Sequence, residues 1–202
     1  MSDLRNARFL TSAAKPADIP PGQGLDIAFA GRSNVGKSSA INALTGRRRL
    51  AYFSRTPGRT RTINFFDLGS QGRLADLPGY GYASAPRALR AGWDALVGGY
   101  LRGGRGLAGV VILMDARHPL AAADRHFLGW LEPGTRCLVL LSKSDKLARH
   151  EARSALRAVR EGLALLGVHA EVMVFSSRSG EGVDAARIVL KGWLADPPRR
   201  PK

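Results

Sequence analysis

Residues 31–38 read Gly-Arg-Ser-Asn-Val-Gly-Lys-Ser, a complete G-x-x-x-x-G-K-[ST] pattern. A short apolar run, residues 25–30, leads into it, and a helix-compatible stretch, residues 39–44, leads out. That is the strand–loop–helix setting in which the pattern cradles phosphate. Gly31 and Gly36 let the backbone turn tightly and come close to a ligand. Successive N–H groups then point inward, and the following helix adds its positive end. Lys37 is placed to reach the outer phosphates, and the Ser38 hydroxyl to ligate Mg²⁺. The alternative is a glycine-rich turn that happens to carry Lys and Ser. Four fixed positions with the right flanks weigh against it.

Asp76-Leu77-Pro78-Gly79 follows a strand-like stretch, about 40 residues after the loop. An Asp at the end of such a strand holds Mg²⁺ through water in phosphate-loop hydrolases, and Gly79 can offer an unhindered N–H to a γ-phosphate. D-x-x-G alone is weak, since Asp and Gly are common in turns. Its distance from the loop and its place at a strand end give it weight.

Ser142-Lys143-Ser144-Asp145 follows the apolar run 137–141. A carboxylate accepts the paired N1–H and 2-amino protons of guanine, whereas adenine would leave it unmatched. Asp145 thus selects guanine, and the Lys143 stem covers one face of the base. The plainer alternative has Asp145 capping a helix that starts near Lys146. The loop and the D-x-x-G segment favour guanine. Phe175-Ser176-Ser177 closes the last predicted strand and could bring backbone N–H groups to guanine O6, a weak signal by itself. A switch Thr is expected between residues 54 and 62. Thr56, Thr60 and Thr62 are all candidates, and composition does not choose among them.

Gly-Arg-Ser-Asn-Val-Gly-Lys-Ser-Ser (31–39), Ser-Arg-Thr-Pro-Gly-Arg-Thr (54–60), Asn-Phe-Phe (64–66) and Asp-Leu-Pro-Gly-Tyr-Gly-Tyr-Ala (76–83) together resemble the EngB/YihA/YsxC GTPases. Asp115-Ala-Arg-His-Pro-Leu, Ser142-Lys-Ser-Asp and Phe175-Ser-Ser match in order and spacing, so the resemblance spans residues 7–195. It implies a Ras-like P-loop GTPase domain. It also implies GTP and GDP as ligands, Mg²⁺ as cofactor, and a role in assembly of the large (50S) ribosomal subunit, with septation and cell division affected in some species. Phosphate binding then falls to Gly31, Arg32, Ser33, Asn34, Val35, Gly36, Lys37, Ser38 and Ser39. Gly58, Arg59, Thr60, Arg61 and Thr62 close over the nucleotide, and the resemblance selects Thr60 as the Mg²⁺ ligand. Asp76, Leu77, Pro78 and Gly79 face the γ-phosphate. The base is held by Ser142, Lys143, Ser144, Asp145, Phe175, Ser176 and Ser177. Lys37, Thr60, Asp76 and Gly79 are the expected catalytic set.

Two features depart from broader patterns. Translation GTPases carry Asn, and this family mostly Thr, where Ser142 stands. A Ser hydroxyl can still bridge to the phosphate loop, but it is shorter than an amide and lacks the stiffness of Thr. The departure bears on affinity, while guanine preference rests on Asp145. Ras-like enzymes place a water-orienting Gln shortly after D-x-x-G, and here the next residue is Tyr80. Slow intrinsic hydrolysis is therefore expected, accelerated by a partner or an ion. Asn34 resembles the Asn of potassium-activated GTPases, so K⁺ is a candidate activator; the alternative is an Asn that braces the loop. Tyr80 also keeps open a nucleotide-gated RNA-binding module with negligible turnover. A small-molecule kinase is disfavoured, since no late Arg-rich lid is evident.

Apolar runs alternate with helical patterns along the chain. Strands are expected at 26–30, 63–68, 74–76, 109–115, 136–141 and 168–174, and helices at 37–44, 86–101, 121–131, 146–166 and 183–194. The fold class is α/β: a mostly parallel six-stranded sheet with one antiparallel edge strand and helices on both faces. Residues 68–72 look like the hairpin turn. Residues 1–23 are expected to pack on the domain as an extension, 24–195 to form the G domain, and 196–202 to be a basic disordered tail.

Net charge is +15 over 202 residues, which calls for a polyanionic partner. Arg47, Arg48, Arg49, Arg55, Arg59 and Arg61 lie within 15 residues that contain no acid. Arg87, Arg90, Arg102 and Arg105 add to that charge. A GC-rich gene could explain Arg over Lys but not base over acid. rRNA contact is therefore expected. The single Cys137 lies in a predicted buried strand, which suits a reducing cytoplasm. No apolar run approaches ~18 residues, so no membrane span is expected, and a monomer is anticipated. Trp93, Trp130 and Trp193 read as packing residues on helices, and His118 as a loop-forming residue.

Overall fold

Strand and helix patterns along the chain close into a single sheet covered on both faces. The computed structural model describes residues 4–21, 24–51, 62–81, 87–103 and 106–196. The expected contributions of Thr56, Gly58, Arg59, Thr60 and Arg61, of Arg55 and Arg105, and of the 197–202 tail lie outside the described residues.

In chain order the elements are β1 (Arg8–Ala13), β2 (Leu25–Gly31), α1 (Lys37–Thr45), β3 (Ile63–Asp67), β4 (Gly72–Asp76) and α2 (Arg87–Arg102). They continue with β5 (Leu107–Asp115), α3 (Ala122–Leu128), β6 (Cys137–Ser142), α4 (Arg149–Leu165), β7 (Glu171–Val174) and α5 (Val183–Ala195). The sheet order is β1-β3-β4-β2-β5-β6-β7. From β4 to β7 every neighbouring pair is parallel. β3 runs against both β1 and β4.

This is the Ras-like α/β fold, with one correction in count. Among the described residues the sheet has seven strands where six were expected, and the reversed strand β3 is not the edge. The extra strand is β1, from the segment read as an extension lying on the domain. Its register, Arg8 opposite Asp67 through Ala13 opposite Ile63, makes it the sheet's outer strand. The β3–β4 connection is the expected hairpin, closed by a 3₁₀ turn at Gly69–Gln71 and a bond from Leu68 N–H to Gly72 O at 2.9 Å.

Side chains alternate across the strands, so two cores form. Ala28, Ala30, Val110, Ile112, Val139 and Leu141 face α2, α3 and α4. Ile27, Phe29, Val111, Leu113, Leu138 and Leu140 face α1 and α5, whose Ile41, Leu44, Leu190 and Trp193 are buried against them. Trp93 packs against the first core and Trp193 lies in the second; Trp130 falls just past α3 rather than on it. At the far end of the sheet Arg73 forms a bidentate pair with Asp26 at 2.8 and 3.0 Å. It also donates to the Pro20 and Pro21 carbonyls, tying residues 20–21 to the sheet.

Candidate functional site

Four loops meet at the carboxyl ends of the parallel strands, where open α/β sheets bind ligands. The first follows β2. Asn34 and Gly36 both take left-handed backbone conformations, with φ of 60° and 102°, which wraps the chain back toward the start of α1. Glycine adopts such a φ without strain; Asn does so more readily than other residues with a Cβ. Lys37 is the first residue of α1, and Ser38 and Ser39 lie half-buried in its first turn.

The second loop follows β4 and is stitched to the first. Tyr80 N–H bonds Gly31 O at 3.2 Å, and Ser33 N–H bonds Tyr80 O at 3.3 Å. A Cβ on Gly79 would sit 3.2 Å from the Ser33 backbone, so close approach here favours glycine. Lys37 makes a direct ion pair with Asp76, whose side chain is 5% exposed. Leu77 and Pro78 are buried, which leaves their backbone as the part facing a ligand.

Tyr80 is not presented to the site. It is buried, stacks on Phe127 with ring centroids 4.9 Å apart, and donates to Asp124 Oδ1 at 3.0 Å. Asp124 is fully buried and also accepts from Ala121 N–H at 3.0 Å. Arg32 approaches the same carboxylate at 3.4 Å through Nε and donates through Nη2 to His118 O at 2.7 Å. Arg32 Nε is buried without a hydrogen-bond partner, so its link to Asp124 is charge rather than a formed bond. Burial raises the Asp124 carboxyl above its usual range, against the opposing pull of Arg32 and the Tyr80 hydroxyl. Burial, reinforced by the Asp124 charge, pushes the Tyr80 phenol far up.

The third loop follows β6. The Ser142 hydroxyl lies 2.7 Å from Val35 O, its hydrogen-bond acceptor in the phosphate loop, and 3.2 Å from Met114 O. Lys143, at φ 61°, donates to Asn34 O and to Asp115 Oδ2, each at 2.9 Å. Asp115 ends β5 and is also gripped by Arg117 at 2.9 and 2.7 Å. The Arg117 bonds, with Lys143 helping, hold the Asp115 carboxyl well below the usual carboxylate range despite partial burial.

The fourth loop follows β7. Ser176 donates to Asp145 Oδ1 at 2.7 Å, and Ser144 donates to Glu181 Oε2 at 2.6 Å. Phe175 is buried in the α1–α5 core, so only its backbone faces outward, while Ser177 is exposed. Asp145 sits in a 3₁₀ turn, Ser144–Lys146, and α4 begins at Arg149 with Ala148 as its N-cap. The helix-capping alternative for Asp145 is thereby excluded.

The phosphate loop, the Asp76–Gly79 turn and the loops after β6 and β7 are thus linked at one end of the sheet, while Thr62 donates to Asn64 Oδ1 at 3.3 Å beside the start of β3. Sequence reasoning gave no local role to Asp115, Asp124 or Glu181. Asp115 carried a usable signal, an Asp closing an apolar strand just as Asp76 does. Asp124 and Glu181 carried none, because their partners are distant in sequence.

Ser38 and Asp76 are the oxygen groups that a cation here would use, Ser38 directly and Asp76 through water. A hydroxyl and a carboxylate are hard oxygen ligands, and Mg²⁺ takes one or two protein oxygens together with phosphate and water. Among the described residues no cluster of three His, Cys, Asp or Glu offers a different metal cage. The donor set fits Mg²⁺. A large open groove at the opposite end of β6 and β7, lined in part by Cys137, His169 and Glu171, includes none of the site residues. Burial pushes the Cys137 thiol up to about 11, which makes it a poor nucleophile. Among the described residues no helix is long and apolar enough to cross a membrane.

Fold and site together define a P-loop GTPase of the Ras-like type. The family model described as 50S ribosome-binding GTPase matches residues 26–143. The chain is 50% identical over 198 residues to a probable GTP-binding protein EngB of Aromatoleum aromaticum, covering 98% of this chain and 92% of that protein. It is 51% identical over 193 residues to the probable EngB of an Azoarcus species, covering 95% and 92%. Among solved structures, a probable GTP-binding protein EngB superposes with a TM-score of 0.65 at 20% identity, over 84% of this chain and 98% of that one. Aquifex aeolicus Era bound to GDP·AlF₄⁻ gives 0.66 at 18% identity, over 88% and 58%. The chain belongs to the EngB family of GTP-binding proteins, which are GTPases.

Proposed function

We propose that the four loops bind GTP and hydrolyse it slowly, and that this cycle serves assembly of the large ribosomal subunit and, through it, normal cell division. The observation that carries the nucleotide reading is the pairing of Lys37 with Asp76 on one side of the site and of Asp145 with Ser176 on the other. Backbone N–H groups of residues 34–39 and the start of α1 receive the phosphates. Lys37 leaves Asp76 for the β- and γ-phosphates, which are the stronger anionic partner. Ser38 and, by family resemblance, Thr60 hold Mg²⁺, with Asp76 behind it through water. When bound, Mg²⁺ neutralises charge on the phosphate oxygens. Gly79 offers its N–H to the γ-phosphate as water attacks in line. Asp145 reads the guanine edge, Lys143 covers its face, and Ser176 and Ser177 frame O6.

Intrinsic hydrolysis is slow in this reading because Tyr80 is spent on packing and no Gln replaces it. Asn34 is exposed in the phosphate loop, and its resemblance to the Asn of potassium-activated GTPases is what supports K⁺ beside the phosphates as an activator. The ribosomal part rests on the family's description and on the net charge of +15. A cytoplasmic monomer with Mg²⁺ fits both. Equilibrium binding of fluorescent GDP and GTP analogues, competed with ATP and repeated in Asp145→Ala, tests the core of it. Guanine nucleotides should compete, ATP should not, and the variant should lose the preference; equal competition by ATP overturns the reading. Turnover with and without large subunits separates a stimulated GTPase from a nucleotide-gated binding module.

A further inference from the structure

α4 carries a feature that the nucleotide site does not use. Arg149, Arg153, Arg157 and Arg160 are all exposed, at spacings of four, four and three. At 3.6 residues per turn they fall within an arc of about 80° and span about 16 Å of helix. The helix's apolar face is already occupied: Val159 and Leu163 are buried, with Ala155 and Leu156 packed beside them. The acids of α4 are Glu151 and Glu161. Glu151 lies on the opposite flank and accepts from Ala148 N–H at 2.7 Å, and Glu161 pairs only with Arg157 at 2.8 Å. Arg160 donates through Nη2 to Val172 O at 3.3 Å, while neither Arg149 nor Arg153 has an ionic partner among the described residues. A helix face built only for solubility intersperses both signs, whereas Arg149 and Arg153 stand here without an acid beside them.

We infer that this arginine stripe docks the phosphate backbone of RNA. The inference rests on the ribosomal reading above and assigns it a surface. A row of forked cations one turn apart suits successive backbone phosphates, and guanidinium is the preferred phosphate partner. A membrane surface is the weaker match. An interfacial helix inserts several large apolar residues, whereas Leu156, Val159 and Leu163 of α4 pack into the core and Leu165 alone of its large apolar residues is exposed. The residues flanking the stripe on the open side are His150, Ser154, Ala158 and Glu161, with Leu165 at the end of the helix. α4 packs on β7, and its entry turn is pinned through Ser144 to Glu181 rather than to residues 62–81. The stripe is therefore an anchor indifferent to whether GDP or GTP is bound.

The test is anisotropy of a short labelled RNA duplex titrated with the full-length chain across a range of KCl, in GDP and in a non-hydrolysable GTP analogue. The variants are Arg149→Gln/Arg153→Gln and the charge-keeping Arg149→Lys/Arg153→Lys. Loss of two phosphate contacts should make the slope of log K against log salt shallower by about two, equally in both nucleotides. The Lys pair should retain the parental slope, and nucleotide affinity should be unchanged in both variants. A parental slope in the Gln pair overturns the assignment, as does a change confined to one nucleotide. So does loss of binding to phosphatidylglycerol vesicles with RNA binding intact. A parent that binds no RNA at any salt instead removes the ribosomal reading on which the assignment stands.

Discussion

The Ser142 hydroxyl donates to the carbonyl of Val35 at 2.7 Å, a buried link between the base loop and the phosphate loop that stands beside the Lys143 bond to Asn34 O. The residue that departs from the family's usual Thr therefore still spans the two loops. Ser142→Ala should weaken GDP and GTP alike by about 1 kcal/mol, or about fivefold. Ser142→Thr should bind at least as well as the parent. Isothermal titration of both variants decides this; an unchanged Ala variant would show that the bridge contributes nothing.

Lys37→Ala leaves the Asp76 carboxylate, 5% exposed, without its cation. Breaking a buried pair from one side typically costs roughly 3–5 kcal/mol, and the partly accessible Lys37 places this at the lower end. Adding Asp76→Asn should recover part of the lost stability in urea unfolding, since the stranded charge is gone. Triphosphate binding should not recover. Additive stability losses in the double variant would contradict a direct pair.

Tyr80→Gln should not create a Ras-like hydrolase. Position 80 points between Phe127 and Trp93, with its polar tip on Asp124. A Gln there loses the stacking and leaves the buried carboxylate poorly matched. Single-turnover hydrolysis should stay slow while the melting temperature falls. Faster turnover would mean that the side chain can reach the attacking water after all.

The convergence of the site was largely legible because its chemistry is written in local spacing. The phosphate loop, the Asp76–Gly79 turn and the Asp145 motif each occupy a few consecutive residues at a strand end. β1 was not legible. Arg8-Phe9-Leu10-Thr11-Ser12-Ala13 shows no clean alternation, and Phe9 and Leu10 remain 58% and 46% exposed, so no period marks it as half-buried. Only pairing with β3, some fifty residues away, makes it a strand. Asp124 escaped for the same reason: its partners Tyr80 and Arg32 come from other loops.

Acid should act on the site through Asp115. Its carboxyl is held below the usual range in the folded chain, chiefly by Arg117 and with help from Lys143. The stabilisation is thus complete above the unfolded value of about 4 and is lost as pH falls below it. Asp115→Asn should flatten the acid limb of the stability curve. It should also weaken nucleotide binding, because Lys143 loses one of its two anchors. Identical acid limbs in parent and variant would count against this.

Turnover in KCl should exceed that in NaCl at equal ionic strength, and Asn34→Ala should remove the difference. Equal rates in the two salts would leave Asn34 as a loop residue without a role in activation.

β3 lies between β1 and β4 and is hydrogen-bonded along both edges. It joins Thr62 on one side of the site to the hairpin that returns to Asp76. An edge strand could slip by two residues and carry a signal along its length; a strand clamped on both sides works as a fixed axle. Whatever GTP hydrolysis rearranges must then be hinged at one end of this axle, where Thr62 leads into β3 and Asp76 closes β4 opposite Asn64. The first strand of the chain, three places from the phosphate-loop strand in the sheet, is what fixes this axle along its outer side.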